Sequence, residues 1–156
     1  MKSITIFGKN YIVIEKKSNA DNVRLKDNKI IINSYKSSPH LLLKEFLSNL
    51  LYSELYKIYE KILKERQVDA FGNLDFKVVE KIDSKRNRIA KLKGNKILVK
   101  LNAVVLPKSV LRYIVTHEIA HVITKRHTER FWKIVRMIYP NYQKSYKLLI
   151  KFANIL

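Results

Sequence analysis

The sequence predicts an α+β fold in which an N-terminal antiparallel β-meander and a long helix precede a strand–helix core and C-terminal helices. Turn residues separate short apolar or alternating runs over the first third of the chain. A long stretch with apolar residues at helical spacing follows, and strand patterns then precede helical patterns again. A chain of 156 residues suits a single domain, with an N-terminal part at about residues 1–66 and a second part at about 76–153.

The N-terminal part contains four predicted strands and one helix. The strands lie at residues 4–7, 11–15, 22–25 and 29–33, with turn residues between them. Ser38 before Pro39 indicates a helix start, because serine caps the first turn and proline fits its first position. Apolar residues then recur at helical spacing, which predicts a helix to about Arg66 that packs across the sheet.

Two further strands are predicted after a loop at residues 67–75. They lie at residues 76–82 and 96–102, and a basic connection with a turn at Gly94 and Asn95 joins them.

Three helices complete the predicted fold. Pro107 opens the first, which runs to about Thr124, and Thr128 can cap a short second helix. Pro140 separates that helix from a final one at residues 141–152.

The positive charge of the chain is concentrated in its second half. The formal net charge is +19, of which residues 1–83 carry +4 and residues 84–156 carry +15. Such a field attracts phosphate groups, so DNA or RNA is a candidate partner of the basic surface at residues 84–156. The plainer alternative is that the lysines serve solubility.

Composition also limits the compartment and the chemistry. The chain has no apolar run long enough to span a membrane and no signal-peptide pattern at its start, so we expect a soluble cytoplasmic protein. It contains no cysteine, which excludes disulfides and thiolate ligands. Any zinc ion must therefore be held by histidine and carboxylate groups.

The segment His117-Glu118-Ile119-Ala120-His121 has the pattern H-E-x-x-H within a predicted helix. The two histidines are four residues apart, so their rings lie one turn apart on one face and can bind the same Zn²⁺ ion. Glu118 lies beside that face, where a carboxylate can act as general base toward a metal-activated water. The alternative is a pair of hydrogen-bonded core histidines, with Glu118 paired to one of them.

A catalytic zinc ion usually has three protein ligands, and His127 and Glu129 are the candidates for the third. His127 follows His121 by six residues, which leaves room for the helix to end and the chain to fold back. Thr124 stands where metzincins with this interval have a glycine. We favour His127 as the ligand and expect Glu129 to be an outer partner or an acid in the first turn of the next helix.

The stretch THEIAHVITKRHTERFW resembles the active-site segment of the YgjP-like metallopeptidases, zincins related to the WLM and SprT-like proteases. The run ILVKLN, the Leu-Pro pair before the motif helix and the Tyr-Pro pair after it resemble the same family. The specific similarity covers about residues 96–142. A Trp-Gly-Ser-Cys segment that is usual in the family is absent, and the basic run at residues 86–96 stands in its place.

The resemblance implies a zincin-like core and a zinc-dependent metallopeptidase that hydrolyses peptide bonds in peptides or proteins. The SprT-like relatives imply association with nucleic acid. The alternative function is a non-enzymatic basic nucleic-acid-binding module with a structural metal site.

Ordinary packing is the favoured interpretation of the aromatic residues around the motif, although the tyrosines could line a cleft. These residues are Tyr113, Phe131, Trp132, Tyr139 and Tyr142. His40, in the first turn of the long helix, is expected to face solvent or form a local hydrogen bond rather than bind metal.

Overall fold

The computed structural model describes residues 2–66, 73–82 and 88–152. The predicted α+β class is confirmed: an N-terminal sheet and a long helix precede a second sheet and three C-terminal helices. The predicted loop at 67–75 and the basic connection before residue 96 lie partly outside the described residues.

Four strands form the N-terminal sheet, in the order β1-β2-β4-β3. They are β1 (Ser3–Ile6), β2 (Lys9–Lys17), β3 (Asn22–Lys26) and β4 (Lys29–Ser34). The predicted antiparallel meander is wrong in one pairing, because β2 lies parallel to β4, with Val13 opposite Ile30. The short connection after β2 therefore passes over the end of β4 and places β3 at the edge.

Burial explains why β4 rather than β3 occupies the inner position. β4 has three consecutive isoleucines, Ile30, Ile31 and Ile32, and all three are buried. Strands covered on both faces have such continuous apolar runs, whereas β3 is mostly exposed and suits an edge. The tight turn at Asp27, whose φ is +55°, keeps β3 and β4 together as a hairpin, so the pair enters the sheet as a unit.

Helix α1 (Pro39–Arg66) lies against both sheets and against the helix that carries the H-E-x-x-H motif. Its start is as predicted: the Ser38 hydroxyl accepts a hydrogen bond from the Leu41 backbone N–H at 3.2 Å. Leu51, Leu55 and Ile62 are fully buried on its inner face. The same hydrophobic cluster contains residues from the N-terminal sheet and from the C-terminal helices.

The second sheet has three strands, β5 (Asp75–Val79), β6 (Ala90–Lys93) and β7 (Lys96–Lys100), in the order β5-β7-β6. The sequence predicted β5 and β7 but treated β6 as part of the connection. Its sequence AKLK lacks a strong strand pattern, and tertiary pairing with β7 overrides that weak propensity. The predicted turn is confirmed, with Gly94 at a φ of +61°.

The predicted strand at 96–102 is too long at its end, because a 3-10 helix (Leu101–Val105) follows β7 directly. This short helix fixes the approach to the next helix. The turn between β1 and β2 docks on it, since the Phe7 N–H donates to the Val104 carbonyl at 2.8 Å and the Gly8 N–H to the Val105 carbonyl at 3.1 Å. The two parts of the chain therefore meet where the motif helix begins.

The last three helices are α2 (Lys108–Ile123), α3 (Glu129–Ile138) and α4 (Tyr142–Phe152), close to their predicted bounds. Within the described residues, no helix combines the length and the apolar character that crossing a membrane would require.

Candidate metal centre

The H-E-x-x-H motif occupies the last two turns of α2, the most deeply buried helix of the second part. Every residue from Tyr113 to Ala120 is buried, and His117 and Glu118 are 1% and 2% exposed. Buried polar groups are costly unless they have partners. The burial of His117 and Glu118 therefore indicates a structured polar site rather than a random surface cluster.

The structure brings His117, His121 and His127 together. Their ring centroids lie 4.7–5.1 Å apart, and one nitrogen from each ring lies within 4.8 Å of the others. His127 Nε2 is 3.2 Å from His117 Nε2 and 3.1 Å from His121 Nε2. Two nitrogens bound at about 2.0–2.1 Å to a tetrahedral ion lie roughly 3.3–3.4 Å apart. The two nitrogen pairs that include His127 thus have nearly the spacing that a tetrahedral metal site requires.

Hydrogen bonds at the second ring nitrogens orient the two helical histidines. His117 Nδ1 lies 2.9 Å from Glu118 Oε2, and His121 Nδ1 lies 3.2 Å from the Thr124 carbonyl oxygen. Because both partners are acceptors, each Nδ1 carries the proton and each Nε2 presents a lone pair to the cluster.

This arrangement separates a metal site from a pair of hydrogen-bonded core histidines. The contact between His117 and Glu118 would fit either interpretation. However, the Nε2 proton of a neutral His127 could be donated to only one of the two facing lone pairs, and the lone pair of the other histidine would be left without a donor. A cation at the centre removes this conflict for all three nitrogens. The donor set fits a metal ion, and imidazole nitrogens suit zinc.

The electrostatic setting keeps two of the three rings, those of His121 and His127, in their metal-binding form. Burial, followed by the proximity of His117, lowers the pKa of His121. Partial burial, followed by the two neighbouring rings, lowers the pKa of His127. Both histidines are therefore held neutral at neutral pH, the protonation state that metal binding requires.

The segment between α2 and α3 returns His127 to the other two histidines. Thr124 ends α2 in extended backbone, with φ −142° and ψ 129°. This ordinary conformation needs no glycine, which explains how the chain folds back without one. Thr128 caps α3 as predicted, its hydroxyl accepting from the Phe131 N–H at 3.5 Å.

Phe131 forms the floor of the histidine cluster. Its ring is fully buried and its centroid lies 5.0, 4.8 and 4.8 Å from those of His117, His121 and His127. Trp132 stacks on Tyr142 at 5.7 Å behind it. Both residues pack beneath the site, in agreement with their predicted role.

The other candidate residues lie outside the cluster. Glu129 is exposed in the first turn of α3, and it is not among the metal-competent groups found in the described parts of the chain. His40 lines a separate cavity with Lys2 and Ser3, beside the N-terminal sheet. Tyr113 is fully buried, so it packs rather than lines an open cleft, and burial raises the pKa of its hydroxyl.

A cavity of about 530 Å³ adjoins the cluster and includes Glu118 and His121 in its wall. Sequence reasoning identified these two residues but missed the basic residues that line the same cavity. It also missed the Thr124 carbonyl as the partner of His121. The position of Thr124, three residues after His121 at a helix end, was the signal for that contact.

Comparisons with known proteins bear on the family and the fold of the chain. The sequence model described as "YgjP-like, metallopeptidase domain" matches residues 1–151, well beyond the segment on which the resemblance was based. No curated protein matches the chain. Among solved structures, its fold is similar to that of the metallopeptidase zymogen of Pyrococcus abyssi abylysin, with 17% identity and a TM-score of 0.54, over 65% of this chain and 99% of that one. With the family match spanning nearly its whole length, the chain belongs to the YgjP-like metallopeptidase family.

Proposed function

We propose that this metallopeptidase is a zinc-dependent, single-domain enzyme that hydrolyses peptide bonds with Glu118 as general base. His117, His121 and His127 would hold the ion. The observation that carries the proposal is the convergence of three Nε2 atoms beside a buried carboxylate that also faces a cavity.

The chemistry divides between the ion and the chain. A bound zinc ion supplies a Lewis acid, which makes a water more acidic and polarises the substrate carbonyl. Glu118 Oε2 lies against His117 Nδ1, so we assign the proton to the other oxygen, Oε1. Glu118 would accept the proton of the attacking water there and pass it to the leaving amine.

The number of ligands favours an enzyme over a protein with a structural metal site. Structural zinc sites are usually closed by four protein ligands, whereas catalytic sites keep one position open. The described residues contribute three. This argues against the alternative of a non-enzymatic module.

Metal removal tests the proposed activity. Chelation followed by gel filtration is expected to abolish hydrolysis of an unfolded protein substrate, because it removes the metal ion that the three imidazoles bind. One equivalent of Zn²⁺ should restore hydrolysis. Magnesium added in place of zinc is the control, since it prefers oxygen ligands and should restore nothing. Full hydrolysis by protein shown by elemental analysis to be metal-free would contradict the proposal.

Nucleic-acid association is a second candidate property, supported by the charge of the C-terminal helix. Lys144, Lys147 and Lys151 are exposed on α4 at helical spacing, which places them along one stripe. Such a stripe can follow a phosphate backbone, and the surrounding residues 84–156 carry a net charge of +15.

The salt dependence of DNA binding tests this second property. Replacing the three α4 lysines by Gln is expected to reduce the slope of log affinity against log salt by about 2–3, because each phosphate contact contributes about 0.9. The matched control replaces Lys9, Lys16 and Lys26 of the N-terminal sheet, all exposed, and should leave the slope unchanged. Equal slopes for all three proteins would assign the charge to solubility.

A further inference from the structure

The wall of the cavity beside Glu118 and His121 is rich in positive charge. Besides these two residues it is lined by Arg88, Lys91 and Lys125. We propose that this cavity selects peptide substrates with Asp or Glu next to the bond that is cleaved, an inference that rests on the proposed peptidase function.

The position of the cavity supports an extended occupant. Lys91 and Leu92 both line it, although consecutive strand residues point to opposite faces of a sheet. A wall that includes both residues, together with Gly94 of the following turn, fits a cavity that follows the edge of β6. β6 lies at the outside of the described sheet, so this edge is on the side away from β7.

The positive side chains approach this edge from two elements. Lys91 belongs to β6, whereas Lys125 follows the end of α2. Neither lysine forms an ion pair within the described parts of the chain. A carboxylate of a bound peptide could therefore meet both lysines while the adjacent peptide bond lies near Glu118 and His121.

The charge balance of the wall favours an acidic ligand. The described lining residues contain one carboxylate, that of Glu118, and its Oε2 is already in contact with His117 Nδ1. Three of the described lining residues, Arg88, Lys91 and Lys125, are basic. In a partly enclosed cavity such charges act more strongly than on open surface.

A peptide fits the wall better than a nucleic acid does. Leu92 and Val122 add apolar surface to the same wall, which suits a mixed run of amino-acid side chains. A phosphate backbone would instead place repeated negative charges beside the Glu118 carboxylate.

Binding of matched peptides to zinc-loaded Glu118→Gln protein tests the inference. Two labelled peptides of equal length would carry Asp and Glu, or Asn and Gln, at the same central positions. We expect the acidic peptide to bind about tenfold more tightly, which two modest ion pairs would produce. The double variant Lys91→Glu/Lys125→Glu, made in the same background, should remove or reverse this preference.

The control is Lys57→Glu, which changes an equivalent charge in a separate cavity lined by Tyr52 and Tyr56; it should keep the preference. Equal affinity for both peptides would overturn the inference. It would also be overturned if unlabelled DNA displaced the peptide and bound the double variant less tightly, because the cavity would then bind nucleic acid. Failure of the proposed function has a different signature, because peptide hydrolysis would then be the same in Glu118→Gln and wild-type protein.

Discussion

Replacing Glu118 by Gln is expected to lower peptide hydrolysis by about 10²–10⁴-fold, the usual contribution of a positioned general base. Glutamine has nearly the same shape, and its amide oxygen can still accept a hydrogen bond from His117 Nδ1. The imidazoles should therefore keep their orientation and their metal ion. The measurement is kcat/KM on an unfolded protein or peptide substrate, together with the metal content of the same samples.

Glu129→Gln is the matched control, because Glu129 is the other acid of residues 84–156 and is exposed at the start of α3. It should leave hydrolysis near the wild-type rate. Wild-type activity in Glu118→Gln would remove the proposed base. Loss of metal from Glu118→Gln would instead show that the carboxylate acts mainly by holding His117 in place.

The histidine cluster could be predicted from the sequence because its determinants are local. The four-residue spacing of His117 and His121 fixes their common face once α2 forms, and α2 was predicted from its apolar periodicity. His127 lies close to them in sequence, so only the end of α2 and the cap of α3 had to be anticipated. Thr128 provided the signal for that cap.

Elements that depend on distant partners could not be predicted in the same way. The parallel pairing of β2 with β4 follows from which strand is covered on both faces, and that depends on how α1 lies across the sheet. The same four strand segments could form either a meander or the observed order β1-β2-β4-β3, so the local sequence pattern does not distinguish the two arrangements. β6 likewise exists because β7 pairs with it.

The missed strand β6 also changes how the basic residues near it are interpreted. Arg88 and Lys91 fell within a stretch interpreted as a basic connection, which suggested a general attraction for phosphate. Once β6 forms, Lys91 lines the same cavity as Glu118 and His121. The same residues then suggest a selective role beside the candidate metal centre, and a general attraction for phosphate is better assigned to the lysines of α4.

Replacing His127 by Ala is expected to release most of the bound metal, because it leaves two imidazoles where three Nε2 atoms now converge. Replacing a residue that only hydrogen-bonds to a metal ligand weakens metal binding by about 10–100-fold. Replacing a ligand itself should therefore lower the metal affinity by at least that factor. Elemental analysis after gel filtration measures retention, and competition with a chromophoric chelator measures affinity. Added zinc should raise the Tm of the wild type, since it binds only the folded chain, and should barely change that of the variant.

His40→Ala is the control, because it removes a histidine that lines a different cavity; it should keep the metal and the zinc-dependent rise in Tm. Comparing the metal-free proteins separates ligand loss from unfolding. The ring of His127 packs on Phe131, but it belongs to an exposed residue, so its removal should change the metal-free Tm only slightly. Wild-type zinc affinity in His127→Ala, combined with zinc loss in Glu129→Gln, would reassign the third ligand to Glu129 and contradict the geometry of the three converging nitrogens.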